Sequence, residues 1–114
     1  MKNGTFEIIK EQDEKQGFTR FIIMGRINSK TSPVLHNKLE EALNCGEVNI
    51  VLNMFEVEYL SSDGIRTILK IYKDAEKAGG KLRIERASEM VRNVLGMVAL
   101  DGMLHSGQNF SAQL

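Results

Sequence analysis

The stretch VNIVLNMFEVEYLSSDGI, residues 48–65, contains the strongest structural signals in this chain. Its first seven residues, VNIVLNM, are rich in β-branched and apolar side chains, a composition typical of a central strand buried in a sheet. Ser62, Asp63 and Gly64 have the residue types typical of the start of a helix. An amphipathic pattern follows, with one apolar face formed by Ile65, Ile68, Leu69, Tyr72 and Ala75. The stretch therefore predicts a buried strand that leads into a helix over about residues 63–78.

Two apolar segments precede this unit. Residues 6–10 and residues 18–27 each have the composition of a strand, and the charged segment between them ends in Gly17. Because a short turn favours antiparallel pairing, these two segments predict a β-hairpin. Ser32 followed by Pro33 then predicts the start of another helix, with Ser32 as the N-cap and Pro33 at the first helical position.

Further elements follow on the C-terminal side. Gly79 and Gly80 predict the end of the second helix, and residues 81–86 alternate between apolar and charged side chains as a half-buried strand does. Ser88 predicts the N-cap of a third helix, and residues 103–105 are compatible with a last short strand.

The order of elements is β-β-α-β-α-β-α and indicates the α/β class. We expect a mixed sheet with an N-terminal antiparallel hairpin, then parallel strands, with α-helices packed on it. Functional sites of open α/β sheets lie at the carboxyl ends of the strands. The sequence therefore predicts a site in the loops after residues 27, 54 and 86.

Length and composition predict a single domain that works inside the cell. With 114 residues the chain suits one domain, residues 1–114, in which we expect about 5–105 to fold and 106–114 to form a flexible tail. Fifteen basic and fifteen acidic residues give a net charge of zero, which disfavours nucleic acid as a partner. The chain has no apolar run long enough to span a membrane and no signal-peptide pattern, and its single cysteine fits a reducing compartment. These features predict a cytoplasmic protein.

Ser62 lies where the N-cap of the second helix is expected, and two interpretations remain open. In the first, Ser62 only caps the helix, Asp63 complements the helix dipole and Gly64 allows close packing. In the second, the Ser62 hydroxyl is accessible to a kinase, and a phosphate there would meet backbone N–H groups at the positive end of the helix dipole. Such a charge would act on whatever docks at this surface and would leave the fold intact.

These segments resemble the STAS domain family, and within it the bacterial anti-sigma factor antagonists. The resemblance covers nearly the whole chain. It is carried by GRIN at residues 25–28, VNIVLN at residues 48–53, VEYLSSDGI at residues 57–65 and AGGKL at residues 78–82. It implies a STAS-like fold and a regulatory binding protein that is not an enzyme.

The resemblance also implies partners and functional residues. Ser62 falls on the phosphorylation site of the antagonists, and the partner-binding surface falls on Asn28, Ser61, Ser62, Asp63, Gly64 and Arg66. The implied partners are an anti-sigma factor, which is a serine kinase with a GHKL-type ATP site, and a serine phosphatase. The unphosphorylated antagonist, a monomer when free, binds the anti-sigma factor and so releases a sigma factor. Phosphorylation ends this binding and the phosphatase restores it.

This chain departs from the antagonist pattern at three positions. Ser61 stands where many antagonists carry an aspartate, Asp63 places a negative charge directly after Ser62, and Asn28 replaces a frequent acidic residue. An alternative function is therefore a STAS sensor or scaffold that is never phosphorylated and that binds a small anionic ligand or a larger signalling assembly.

Other chemistry has little support in the sequence. His36 and His105 are far apart and have no cysteine pair beside them, so no metal site is predicted. Cys45 has no neighbour that would activate its thiol, and we expect it to be buried or inert. No catalytic residue and no cofactor are predicted, because the chain has neither a nucleophile elbow nor a nucleotide-binding motif.

Overall fold

The computed structural model describes residues 6–97. The elements in chain order are β1 (Glu7–Asp13), β2 (Phe18–Ile27), α1 (Ser32–Asn44), β3 (Asn49–Leu60), α2 (Ser62–Lys77), β4 (Lys81–Ala87) and α3 (Glu89–Met97). The strand predicted at residues 103–105, the tail predicted at residues 106–114 and His105 lie outside the described residues.

The four described strands form one mixed sheet in the order β1-β2-β3-β4. β1 pairs with β2 antiparallel, whereas β3 is parallel to both β2 and β4, which confirms the predicted hairpin and the predicted parallel strands. Because both β-α-β crossovers advance in the same direction across the sheet, their right-handed sense places α1 and α2 on the same face. There the two helices contact each other.

The core lies between this face of the sheet and the helices. Phe21, Leu52 and Ile84 come from three neighbouring strands, and each is almost completely buried. The predicted alternation in β4 is confirmed, since Leu82 and Ile84 point inward. The apolar face predicted for α2 is also largely confirmed: Ile68 and Ala75 are buried, and Ile65, Leu69 and Tyr72 pack against the core.

Two strands are longer than the sequence pattern predicted. β1 continues to Asp13, where we expected a turn, because it pairs with β2 down to Phe18. β3 continues six residues beyond the predicted end at Met54 and reaches Leu60, since its second half pairs with β2 alone. Two register shifts in this half interrupt the apolar alternation. The loop expected after residue 54 therefore lies after residue 60.

The helix starts agree with prediction in one case and differ in another. The Ser88 Oγ accepts a hydrogen bond from the Val91 N–H at 3.2 Å, so the predicted cap of α3 is confirmed. Ser32 is not the N-cap of α1, because Thr31 holds that position. Ser32 is instead the first helical residue, and its hydroxyl donates to the Asn28 carbonyl at 2.7 Å.

Candidate functional site

The candidate site lies where β2 and β3 end side by side. Ile27 and Leu60 are register partners at the carboxyl ends of these two strands. The Ser61 N–H donates to the Ile27 carbonyl at 2.9 Å, which ties the start of α2 to the end of β2. The loop after residue 27, one of the three in which a site was expected, therefore lies beside the start of α2.

Ser61, and not Ser62, is the N-cap of α2. Ser61 has an extended backbone, with φ −84° and ψ 173°, and its Oγ accepts a hydrogen bond from the Gly64 N–H at 3.2 Å. The interpretation of Ser62 as the cap is wrong by one residue, because the hydrogen bond to Ile27 holds Ser61 in the conformation that an N-cap requires. Ser62 is the first residue of the helix and is exposed.

The two serines should differ in their effect on stability. Ser61→Ala is expected to lower the free energy of unfolding by about 1 kcal/mol, because it removes the cap of α2. Ser62→Ala, which removes the same hydroxyl group from an exposed position, should change it by less than about 0.5 kcal/mol. Urea denaturation followed by circular dichroism measures both. Equal losses in the two variants would contradict the assignment of the cap.

Asp63 and Arg66 form an ion pair on the exposed side of the first turn of α2. The Arg66 Nη2 contacts the Asp63 Oδ1, and the Arg66 side chain is 70% exposed. Asp63 also places its carboxylate at the positive end of the helix dipole. The guanidinium therefore offsets the negative charge that the sequence places beside Ser62.

Gly64 lets α2 approach the ends of β2 and β3. A Cβ atom at this position would lie 2.6 Å from Ile27 Cγ2 and 2.7 Å from Leu60 Cδ1. Both distances are far shorter than van der Waals contact. The predicted role of Gly64 in close packing is confirmed.

Asn28 organises the loop between β2 and α1. Its Oδ1 accepts hydrogen bonds from the Lys30 N–H at 2.9 Å and the Thr31 N–H at 3.0 Å. The Thr31 Oγ1 accepts from the Asn28 N–H at 2.8 Å and donates to the Arg26 carbonyl at 2.7 Å. A carboxylate at position 28 could accept the same two backbone hydrogen bonds, so the loop geometry does not depend on the amide of Asn28.

A groove of about 580 Å³ separates the starts of α1 and α2. It brings together residues of both helices and of the loop before α1, namely Ser29, Ser32, Pro33, His36, Asn37, Asp63, Arg66, Thr67 and Lys70. Asp63 and Arg66 were predicted site residues, whereas the residues from α1 were not. The order of elements could have indicated them. Both helices connect parallel strands in the same direction across the sheet, so they begin side by side on one face.

The ionisable side chains of this groove contact partners within their own helices. His36 Nε2 lies 2.9 Å from Glu40 Oε1, and Lys70 Nζ lies 3.0 Å from Asp74 Oδ2. Within residues 6–97, no salt bridge joins α1 to α2. The groove is open to solvent and lies between two helices that pack against each other.

A metal site and a reactive cysteine were also considered at the sequence level. In this part of the chain, no group of three or more His, Cys, Asp or Glu side chains is arranged to hold a metal ion. Cys45 is exposed just after α1, and not buried. Among residues 6–97, no helix combines the length and the hydropathy that a membrane span requires.

Comparisons with known proteins find relatives that are named as anti-sigma factor antagonists. The chain is 28% identical over 82 residues to a protein of Bordetella bronchiseptica named "Putative anti-sigma factor antagonist BtrV", covering 72% of this chain and 71% of that protein. The crystal structure of an anti-sigma factor antagonist from Mycobacterium paratuberculosis superposes with a TM-score of 0.78 at 19% identity, covering 90% of this chain and 86% of that one.

The fold is also shared with the antagonist SpoIIAA. Its unphosphorylated form superposes with a TM-score of 0.74 at 17% identity, covering 89% of this chain and 86% of that one. The phosphorylated form of the Bacillus protein gives a TM-score of 0.69 at 16% identity, covering 89% of both chains. The STAS domain family matches residues 10–112. The chain therefore belongs to the STAS domain family.

Proposed function

We propose that this protein is an anti-sigma factor antagonist whose binding to a serine-kinase anti-sigma factor ends when Ser62 is phosphorylated. The observation that carries the proposal is the position of Ser62, which is exposed at the first residue of α2 while Ser61 caps the helix. The similar proteins named as anti-sigma factor antagonists, one of them known in a phosphorylated form, support it.

The surroundings of Ser62 suit a reversible phosphate. The cap uses the Ser61 hydroxyl and the Gly64 N–H, so modification of Ser62 leaves this hydrogen bond in place. A phosphate at the start of a helix is favoured by the dipole and by the N–H groups of the first turn. Phosphorylation is therefore compatible with the fold, and its effect falls on the docking of a partner.

The docking surface consists of the start of α2, the Asn28 loop and the groove between α1 and α2. The Ser62 oxygen attacks the γ-phosphoryl group of ATP held by a GHKL-type kinase, ADP leaves, and the hydroxyl proton passes to a base of the kinase. A serine phosphatase hydrolyses the phosphate and restores binding. In this proposal the free protein is a cytoplasmic monomer and supplies no catalytic group of its own.

Charge at position 62 should decide the affinity for the anti-sigma factor. Ser62→Asp is expected to weaken binding at least tenfold, because it places a permanent negative charge in the contact surface. Ser62→Ala and Ser62→Asn should bind as the wild type does, and Ser62→Asn is the matched control because it has nearly the shape of the aspartate without its charge.

The experiment begins with capture of partners from the source organism on wild-type and Ser62→Asp baits. The captured protein must carry a GHKL-type ATP site and must phosphorylate the wild type at Ser62, as located by mass spectrometry, but not Ser62→Ala. Its affinity for each variant is then measured by calorimetry, with equal melting temperatures as the check on folding. Equal affinity for Ser62→Asp and Ser62→Asn would overturn the switch and favour the alternative of a sensor or scaffold.

A further inference from the structure

The Arg66 side chain runs back along α2 toward the start of the helix. It contacts the Asp63 carboxylate three residues earlier, and Ser62 lies four residues earlier on the same helix. Residues three and four apart are neighbours on a helix surface, and helical side chains lean toward the N-terminus. The guanidinium is therefore within reach of both Asp63 and a phosphate carried by Ser62.

Phosphorylation would change the balance of charge in this turn. While Ser62 is unmodified, the single charges of Asp63 and Arg66 cancel. A phosphate adds a charge of about −1.5 to −2 and three acceptor oxygens. Arginine pairs with phosphate through two parallel hydrogen bonds, and such a pair is stronger than a single contact with an exposed carboxylate.

We propose that Arg66 is the internal partner of phosphorylated Ser62 and that it exchanges the Asp63 carboxylate for the phosphate. This leaves Asp63 unpaired on the docking surface. The anti-sigma factor then meets two negative groups, the phosphate and the Asp63 carboxylate. Before phosphorylation the phosphate is absent and Arg66 neutralises the carboxylate. The inference rests on the proposed function, since it assigns the regulation of the same serine.

The first test is a ³¹P NMR pH titration of protein with phosphoserine installed at position 62 during translation, which requires neither kinase nor partner. Because the guanidinium stabilises the dianion, Arg66→Gln should raise the titration midpoint of the phosphate by about 0.3 pH unit. Lys70→Gln is the matched control: Lys70 is a cation one turn further along α2, paired with Asp74, and its loss should leave the midpoint unchanged. Equal midpoints in the wild type and Arg66→Gln would overturn the proposal.

The second test addresses the release of Asp63. Phosphorylation should weaken binding of the anti-sigma factor less in Asp63→Asn than in the wild type, by roughly threefold, because one of the two negative groups is missing. An equal loss of affinity in both proteins would show that phosphorylation does not release the Asp63 carboxylate from Arg66. The two proposals fail separately: if Ser62→Asp and Ser62→Asn bind alike, the switch is wrong, whereas the NMR midpoints still report on the pairing with Arg66.

Discussion

Gly80→Ala is expected to lower the free energy of unfolding by about 3 kcal/mol, near the upper end of the usual effects of overpacking. A Cβ atom at this position would lie 2.1 Å from the Val48 carbonyl oxygen and 2.5 Å from its carbon. The obstacle is backbone, which cannot rotate away as the end of a side chain can. The loop between α2 and β4 would have to move away from the start of β3.

Hydrogen bonds at the end of α2 hold Gly80 in this position. The Gly79 N–H donates to the Glu76 carbonyl at 3.1 Å and the Gly80 N–H to the Ala75 carbonyl at 2.9 Å, the two bonds of a Schellman motif. The next N–H, that of Lys81, donates to the Val48 carbonyl at 3.0 Å. A displacement of Gly80 therefore disturbs the helix end and the start of β4 together.

Urea denaturation followed by circular dichroism measures the effect of Gly80→Ala. Gly96→Ala is the matched control, because a Cβ atom at Gly96, inside α3, meets nothing within 4 Å. That control should be neutral or stabilise the protein by up to about 1 kcal/mol, since alanine is the better helix former. A loss below about 1 kcal/mol for Gly80→Ala would contradict the predicted clash.

Gly64→Ala is expected to lower the free energy of unfolding by about 2 kcal/mol. The added methyl group would overlap the side chains of Ile27 and Leu60, which are both buried and have little room to move. To avoid this overlap, the first turn of α2 would have to move away from the ends of β2 and β3. The turn that carries Ser62 would move with it, so under the proposed function this variant should also bind the anti-sigma factor more weakly.

A second substitution tests the cause of this loss. Ile27→Leu removes the Cγ2 methyl group that lies 2.6 Å from the added Cβ and leaves the number of carbon atoms unchanged. In a double-mutant cycle, Gly64→Ala combined with Ile27→Leu should lose less stability than the sum of the single changes, by 0.5 kcal/mol or more. Strict additivity would show that the clash with Ile27 is not the cause.

The elements that the sequence predicted correctly are those whose residue pattern lies within a single helix or strand. The periodic apolar face of α2, the alternation of β4 and the cap at Ser88 each lie within one element, and the structure confirms them. The hairpin and the parallel strands could also be predicted from the order of elements, because short turns and right-handed crossovers leave few other arrangements of the strands.

The second half of β3 could not be predicted in this way. Its residues pair with β2 through two register shifts, and its exposed aromatic rings pack against arginines of neighbouring strands. Phe55 lies beneath Arg86 and Tyr59 beneath Arg26, with 4.9 and 4.5 Å between guanidinium carbon and ring centre. The resulting pattern has neither the period of a strand nor that of a helix, so it resembled a loop.

From the sequence alone we predicted a helix from about residue 63 with Ser62 as its N-cap, close packing at Gly64, and a resemblance to the STAS domain family. Local residue types suffice for such inferences, because caps and apolar periods act within a few residues. The tertiary structure corrects the position of the cap, which is Ser61. The Ile27 carbonyl, in another strand, accepts the Ser61 N–H and holds Ser61 extended, and this long-range contact makes Ser62 the exposed first residue of α2.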